Sequence, residues 1–214
     1  MLVNSKYYLK NSTDTIESIV ELISNCTSCT LSLNRTNTVP GEGSINSKII
    51  FIGEAPGAKE DKSGRPFIGP AGKLLDKLLN LINLSRKDIY ITNMVKCRPP
   101  NNRDPLDEEI SSCRKFLDRQ LNLIEPKLIV SLGRHSFNKF FPNENLSKNR
   151  GHLKKWGQFL LYPVYHPAAA LHNPNLKTTM ENDFIKIKEL VYESNLNQNN
   201  PHNIINQQKQ LKLF

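Results

Sequence analysis

Nowhere among the 214 residues is there an apolar run long enough to span a bilayer, and the N-terminus carries no cationic segment followed by an apolar core. Those absences predict a soluble protein that works in the cytoplasm. Acidic side chains are in the minority, 20 against 29 Lys and Arg, and the resulting charge of +9 favours an acidic partner, nucleic acid first. Cysteine is scarce too: only Cys26-x2-Cys29, Cys97 and Cys113. In a large chain without secretory features a disulfide framework is disfavoured, and a metal or cluster is the better reading. Spacing alone leaves Zn²⁺ and an iron–sulfur cluster equally open.

What is present centres on Lys48 to Gly69, KIIFIGEAPGAKEDKSGRPFIG. The short apolar run Ile49 to Ile52 reads as a buried strand that breaks into Gly53-Glu54-Ala55-Pro56-Gly57. Glu54 therefore falls at the carboxyl end of a strand, where open α/β sheets bind ligands. Further strands are predicted over Asp88 to Val95, Lys127 to Leu132 and Phe159 to Tyr165, the last with Pro163 hinting at an edge. Helices are predicted over residues 12–25, Pro70 to Asn83, Leu106 to Ile124 and Lys177 to Tyr192. The alternation implies a parallel sheet covered on both faces. Three polar residues, Glu54, Asn93 and His166, then lie just past three strand ends. His135, His152, His172 and His202 are expected at the surface or in caps, and Trp156 in the core.

Four segments in order, GEAPGAKED (Gly53 to Asp61), GRPFIGPAGKLL (Gly64 to Leu75), TNMVKCRPP (Thr92 to Pro100) and HPAAAL (His166 to Leu171), together with the four cysteines, resemble the family 4 uracil-DNA glycosylases. The resemblance runs from about Ile19 to Leu190. It implies a three-layer α/β/α fold with a four-stranded parallel central sheet, and a [4Fe–4S] cluster held by Cys26, Cys29, Cys97 and Cys113. It also implies repair of uracil-containing DNA, single- or double-stranded, by a monomer in a prokaryotic cytoplasm at the nucleoid.

Under that resemblance Glu54 and His166 carry catalysis. Gly53, Ala55, Glu60, Phe67 and Asn93 bind the base: Phe67 as a stacking face, Asn93 as the reader of uracil's edge, Glu60 near uracil C5 to exclude a methyl, Gly53 and Ala55 through backbone amides. Leu171, on a loop after His166, is the expected minor-groove wedge. Lys148, Arg150, Lys154 and Lys155 are expected on phosphates. A related group forms a covalent adduct with DNA through a histidine inserted after the second strand. Here that region, KCRPPNNRDP, has no histidine, so turnover is expected. Two rivals stand beside this reading: a cluster-bearing DNA binder without turnover, and a glycosylase for another deaminated base.

The composition changes after Glu193, so residues 1–193 are read as the catalytic domain and 194–214 as a flexible Asn/Gln-rich tail. Its last five residues, QLKLF, with Gln210, Leu211, Leu213 and Phe214 as anchors, resemble the pentapeptide by which repair proteins bind the replication sliding clamp.

Overall fold

The structure, a computed structural model, describes residues 14–196; the clamp-like pentapeptide lies outside them. Its centre is a six-stranded mixed sheet built from β1 (Glu42–Gly43), β2 (Ile49–Gly53), β3 (Tyr90–Asn93), β4 (Leu128–Leu132), β5 (Lys154–Trp156) and β6 (Phe159–Val164), in the spatial order β1-β3-β2-β4-β6-β5. The inner four strands run parallel, and β1 and β5 close the edges antiparallel. The sequence pattern predicted only the inner four. Two and three residues long, the edge strands are too short to show an alternation.

In β2, odd and even positions face opposite sides, and both sides are buried. Ile49 and Phe51 pack with Leu75, Leu78 and Leu79 of α3 (Pro70–Leu81) and with Met180, Phe184 and Ile187 of α8 (Leu176–Leu196). Ile50 and Ile52 pack with Leu117, Leu121 and Ile124 of α4 (Asp107–Ile124) and with Phe137 and Phe140 of α5 (Arg134–Phe140). This two-sided burial is why the strands read as continuous apolar runs. Each fully buried Ile or Phe contributes roughly 1.5–3 kcal/mol. A third cluster, just past the end of β3, joins Ile19 and Ile23 of α1 (Ile16–Ser24) to Leu31, Val95, Phe116, Cys97 and Cys113. Thr15 caps α1, exchanging bonds with Ser18.

Two expectations are corrected. Pro163 does not mark an edge strand, because β5 lies outside β6. It is tolerated because β5 pairs only as far as Leu161, so beyond that point no strand needs the missing N–H; the Pro163 carbonyl instead accepts from Gly151 N at 2.9 Å. The segment after His166 is a short helix, α7 (Pro167–His172), rather than a loop, with proline suiting its first position. A further short helix, α2 (Ala58–Ser63), occupies the charged part of GEAPGAKED, and α6 (Leu146–Asn149) lies in the basic stretch before β5.

Candidate active site

Because the four inner strands are parallel, their carboxyl ends share one rim of the sheet. Gly53 and Glu54 leave β2, Asn93 ends β3, Gly133 to His135 leave β4, and His166 follows β6. Two backbone bonds, Met94 N to Gly53 O at 3.0 Å and Val95 N to Glu54 O at 3.1 Å, stitch the first two exits together. An open cleft lies there, lined by Glu54, Ala55, Glu60, Phe67, Asn93 and His166. Six of the residues expected from the sequence are therefore brought together.

Gly53 lies directly beneath two of these side chains. A Cβ there would stand 2.4 Å from Asn93 Oδ1 and 2.6 Å from Phe67 Cζ, so only glycine lets both side chains keep their places at the cleft. Asn93 is almost wholly buried, and its Oδ1 has no hydrogen-bond partner among the described residues. An unmatched buried acceptor costs about 1–3 kcal/mol, an expense typical of a group kept for a ligand. The residue's own carbonyl is held by the buried Lys96 ammonium at 2.7 Å.

Phe67 faces Asn93 with an unusual backbone. Its φ of +52° lies in the left-handed region, strained for an aromatic residue by roughly 1–3 kcal/mol. Its ring packs 5.6 Å from the His166 ring, inclined 31°. Glu60 lines the cleft and also braces the turn that carries Phe67: its Oε1 accepts from Ile68 N at 2.9 Å and Gly69 N at 2.7 Å. Two N–H groups converging on one carboxylate oxygen fix that oxygen in place.

His166 caps α7. Its Nδ1 accepts from Ala168 N at 3.1 Å, so in the neutral ring the proton sits on Nε2. Burial drives its pKa down to about 4, against a smaller upward pull from Glu60. At neutral pH the side chain is an uncharged donor. Burial pushes the Glu54 carboxyl above its usual range; His135 pulls it down, Asp104 pushes it up and Arg134 pulls it down.

His135 was expected at the surface or in a cap. Instead its Nε2 lies 3.7 Å from Glu54 Oε2 and 3.0 Å from Asp104 Oδ2. Sequence held the signal: His135 stands three residues past a strand end, much as Glu54 and His166 stand past theirs.

The DNA-facing expectations divide. Leu171 is half-exposed on α7, and Lys148 and Lys155 are exposed. Arg150 is committed instead to the buried Asp183 and stacks over the Tyr165 ring. Lys154 is paired with Glu144 at 2.7 Å and lies over the Phe141 ring. Their charge is largely answered inside the chain.

The four cysteines line a second, small pocket together with Arg35, Lys96 and Phe116. Among the described residues, the trio of His, Cys or carboxylate donors lying within 4.8 Å of one another is Glu54, Asp104 and His135, so no three cysteine sulfurs are that close. A tetrahedral zinc site with 2.3 Å bonds needs sulfurs about 3.8 Å apart. The wider spacing suits a cluster better than one ion. The surroundings suit thiolates: Arg35 Nη1 donates to Cys97 Sγ at 3.2 Å and Lys96 N to Cys113 Sγ at 3.3 Å. As free thiols, Cys113 and Cys97 resist ionisation, since burial lifts Cys113 to about 11 and raises Cys97. Lys96 Nζ bonds three neutral oxygens, of Thr92, Asn93 and Gln120, and burial lowers its pKa to about 7.

Residues 40–188 match the uracil DNA glycosylase superfamily. A type-4 uracil-DNA glycosylase of Sulfurisphaera tokodaii is 50% identical over 187 residues, covering 83% of this chain and 85% of that protein. Type-4 uracil-DNA glycosylases of Archaeoglobus fulgidus and Thermotoga maritima are 46% and 43% identical, each aligned over 94% of its own length and covering 83% and 82% of this chain. The family match over most of the chain and these identities show it plainly: this chain belongs to the uracil DNA glycosylase superfamily.

Proposed function

We propose that the protein excises uracil from DNA, cleaving the bond between uracil N1 and the sugar C1′ and leaving an abasic site. The observation that carries this reading is the slot over Gly53, with the unpartnered Asn93 Oδ1 on one wall and the Phe67 ring on the other. A base inside a duplex cannot reach such a slot, so it must be flipped out, at a cost of a few kcal/mol. Stacking on Phe67 offsets about 1–3 kcal/mol of this. Asn93 Oδ1 accepts from uracil N3–H while its amide donates to O4, a pattern that cytosine reverses.

As the bond breaks, its electron pair goes to the base and positive charge grows on the sugar. The neutral His166 donates Nε2–H to uracil O2, where negative charge collects. Glu54 orients water toward C1′ and its carboxylate faces the developing cation. Water adds to C1′, and its proton neutralises the departing base. Exposed Lys148 and Lys155 are the better placed of the four cations for phosphate contact, and Leu171 for the gap left by the base.

Cys26, Cys29, Cys97 and Cys113 are proposed to hold a [4Fe–4S] cluster. Bound there, it would supply a crosslink between α1, the segment after β3 and α4, with no electron transfer needed by the hydrolysis. Purified protein is expected to be brown, and Cys113→Ser to lose both that absorption and thermal stability; colourless protein of equal stability would count against the cluster. The pentapeptide Gln210 to Phe214, in the proposed tail 194–214, is proposed to bind the sliding clamp. Unchanged clamp affinity after deletion of residues 208–214 would sink that idea.

The direct test is a labelled single-stranded oligonucleotide carrying one uracil, with alkali cleavage of abasic sites, run beside Glu54→Ala and Asn93→Ala. Brown, folded protein that leaves uracil untouched would overturn the enzyme reading in favour of a binder. The acid limb of the same activity is expected to follow Glu54, which must be ionised to face a cation. Its midpoint should lie above the usual glutamate range, move down in Asp104→Asn and move up in His135→Gln, since these remove opposite influences on one carboxyl. Shifts of both variants in one direction would contradict this.

A further inference from the structure

Arg86 lies outside the cleft, on the turn between α3 and β3, yet it reaches the backbone that carries Phe67. We propose that Arg86 is a positioning residue for uracil excision, holding Phe67 in its left-handed conformation so that the ring forms one wall of the base slot. This rests on the reading of Phe67 as a stacking face.

The contacts point one way. Arg86 Nη1 donates to Pro66 O at 2.9 Å, and Nη2 donates to Phe67 O. The guanidinium is itself oriented by two carboxylates from different elements, Asp76 of α3 through Nε at 2.7 Å and Glu42 of β1 through Nη1 at 2.5 Å. Glu42 also takes Arg65 Nε at 2.8 Å. On the opposite side of the turn, Glu60 grips Ile68 N and Gly69 N. The peptide planes on both sides of Phe67 are thus held, carbonyls by a cation and amides by an anion.

Gly72 completes the clamp. A Cβ there would stand 1.6 Å from Phe67 O, so the turn sits directly on the first turn of α3. A backbone in a sparsely populated region persists only when its surroundings over-determine it. Here the surroundings are charged groups spaced along the chain from Glu42 to Arg86. Arginine is required for its fork, since one guanidinium serves two carbonyls and two carboxylates at once; a lysine ammonium is a single point with three donors. Remove the fork, and the φ of +52° loses its main restraint and the ring leaves the wall.

A double-mutant cycle separates this from a general loss of stability. Single-turnover kinetics on a uracil oligonucleotide would be measured for wild type, Arg86→Met, Phe67→Ala and the double variant. Arg86→Met is expected to raise the half-saturating concentration or lower the limiting rate by about 5–150-fold, the span of one base–aromatic stack. In the Phe67→Ala background the same change should cost less than about twofold, because the ring it positions is gone. An equal cost in both backgrounds would overturn the proposal, as would full activity of Arg86→Met. If Arg86→Met does not fold, Arg86→Lys keeps the charge and is put through the same cycle with the same expectations. Wild-type protein inert on uracil would instead overturn the function, a separate and recognisable outcome.

Discussion

Replacing His166 by alanine is expected to slow single-turnover uracil release by about 10²–10³-fold, the usual loss when one donor to a developing anion is removed. Oligonucleotide binding should change far less, since the hydrogen bond strengthens only as the base takes up charge. The structure makes this residue a donor in a specific form. Ala168 N–H occupies Nδ1, and burial holds the pKa near 4, so the ring is neutral with its proton on Nε2. Retention of activity within about tenfold in His166→Ala would remove it from the mechanism.

The same burial makes a prediction about stability. An unfolded chain binds a proton at this histidine below about pH 6.5, whereas the folded chain refuses it until about pH 4. Its contribution to stability is therefore complete above pH 6.5 and is lost as pH falls from there toward 4. His166→Ala lacks this dependence. Thermal melts of the two proteins should accordingly differ in slope against pH across that window; parallel slopes would contradict a neutral His166.

Gly53→Ala is expected to reduce excision by about 10²-fold while leaving the fold intact. A methyl at that position must displace Asn93 Oδ1, Phe67 Cζ or both, and those are the two walls that hold the base. Overpacking of this kind costs about 1–3 kcal/mol in a core. Here the neighbours border an open cleft and can yield, so the penalty falls on substrate recognition more than on folding. The melting temperature should drop by no more than about 2–4 °C per kcal/mol lost in a chain of this size. Excision within about threefold of wild type would show that the slot is wider than described, whereas an unfolded variant would shift the role of Gly53 to the core.

Much of the site was legible before any fold was known. Short apolar runs ending in Gly53, Asn93 and Gly133 place polar side chains past strand ends, and parallel strands put those ends on one rim. Lys96 and Arg35 were missed, because neither position bears a local mark of burial or of nearness to a sulfur. The ion pairs of Arg150 and Lys154 were invisible for the converse reason. A basic stretch looks solvated until Asp183, from α8, and Glu144, from before β5, are folded against it. The edge strands escaped because pairs and triplets of residues carry no periodicity.

By itself the sequence determined the kinds of element, the strand-end chemistry, the cysteine set and the family, since these depend on spacing along the chain. Tertiary structure alone decided that His135 stands beside Glu54, that Glu60 braces the Phe67 turn from within the cleft, and that Arg86 reaches the Phe67 carbonyl. Those are relations between residues that the topology brings together, and local periodicity carries no record of which distant charge will meet which carbonyl.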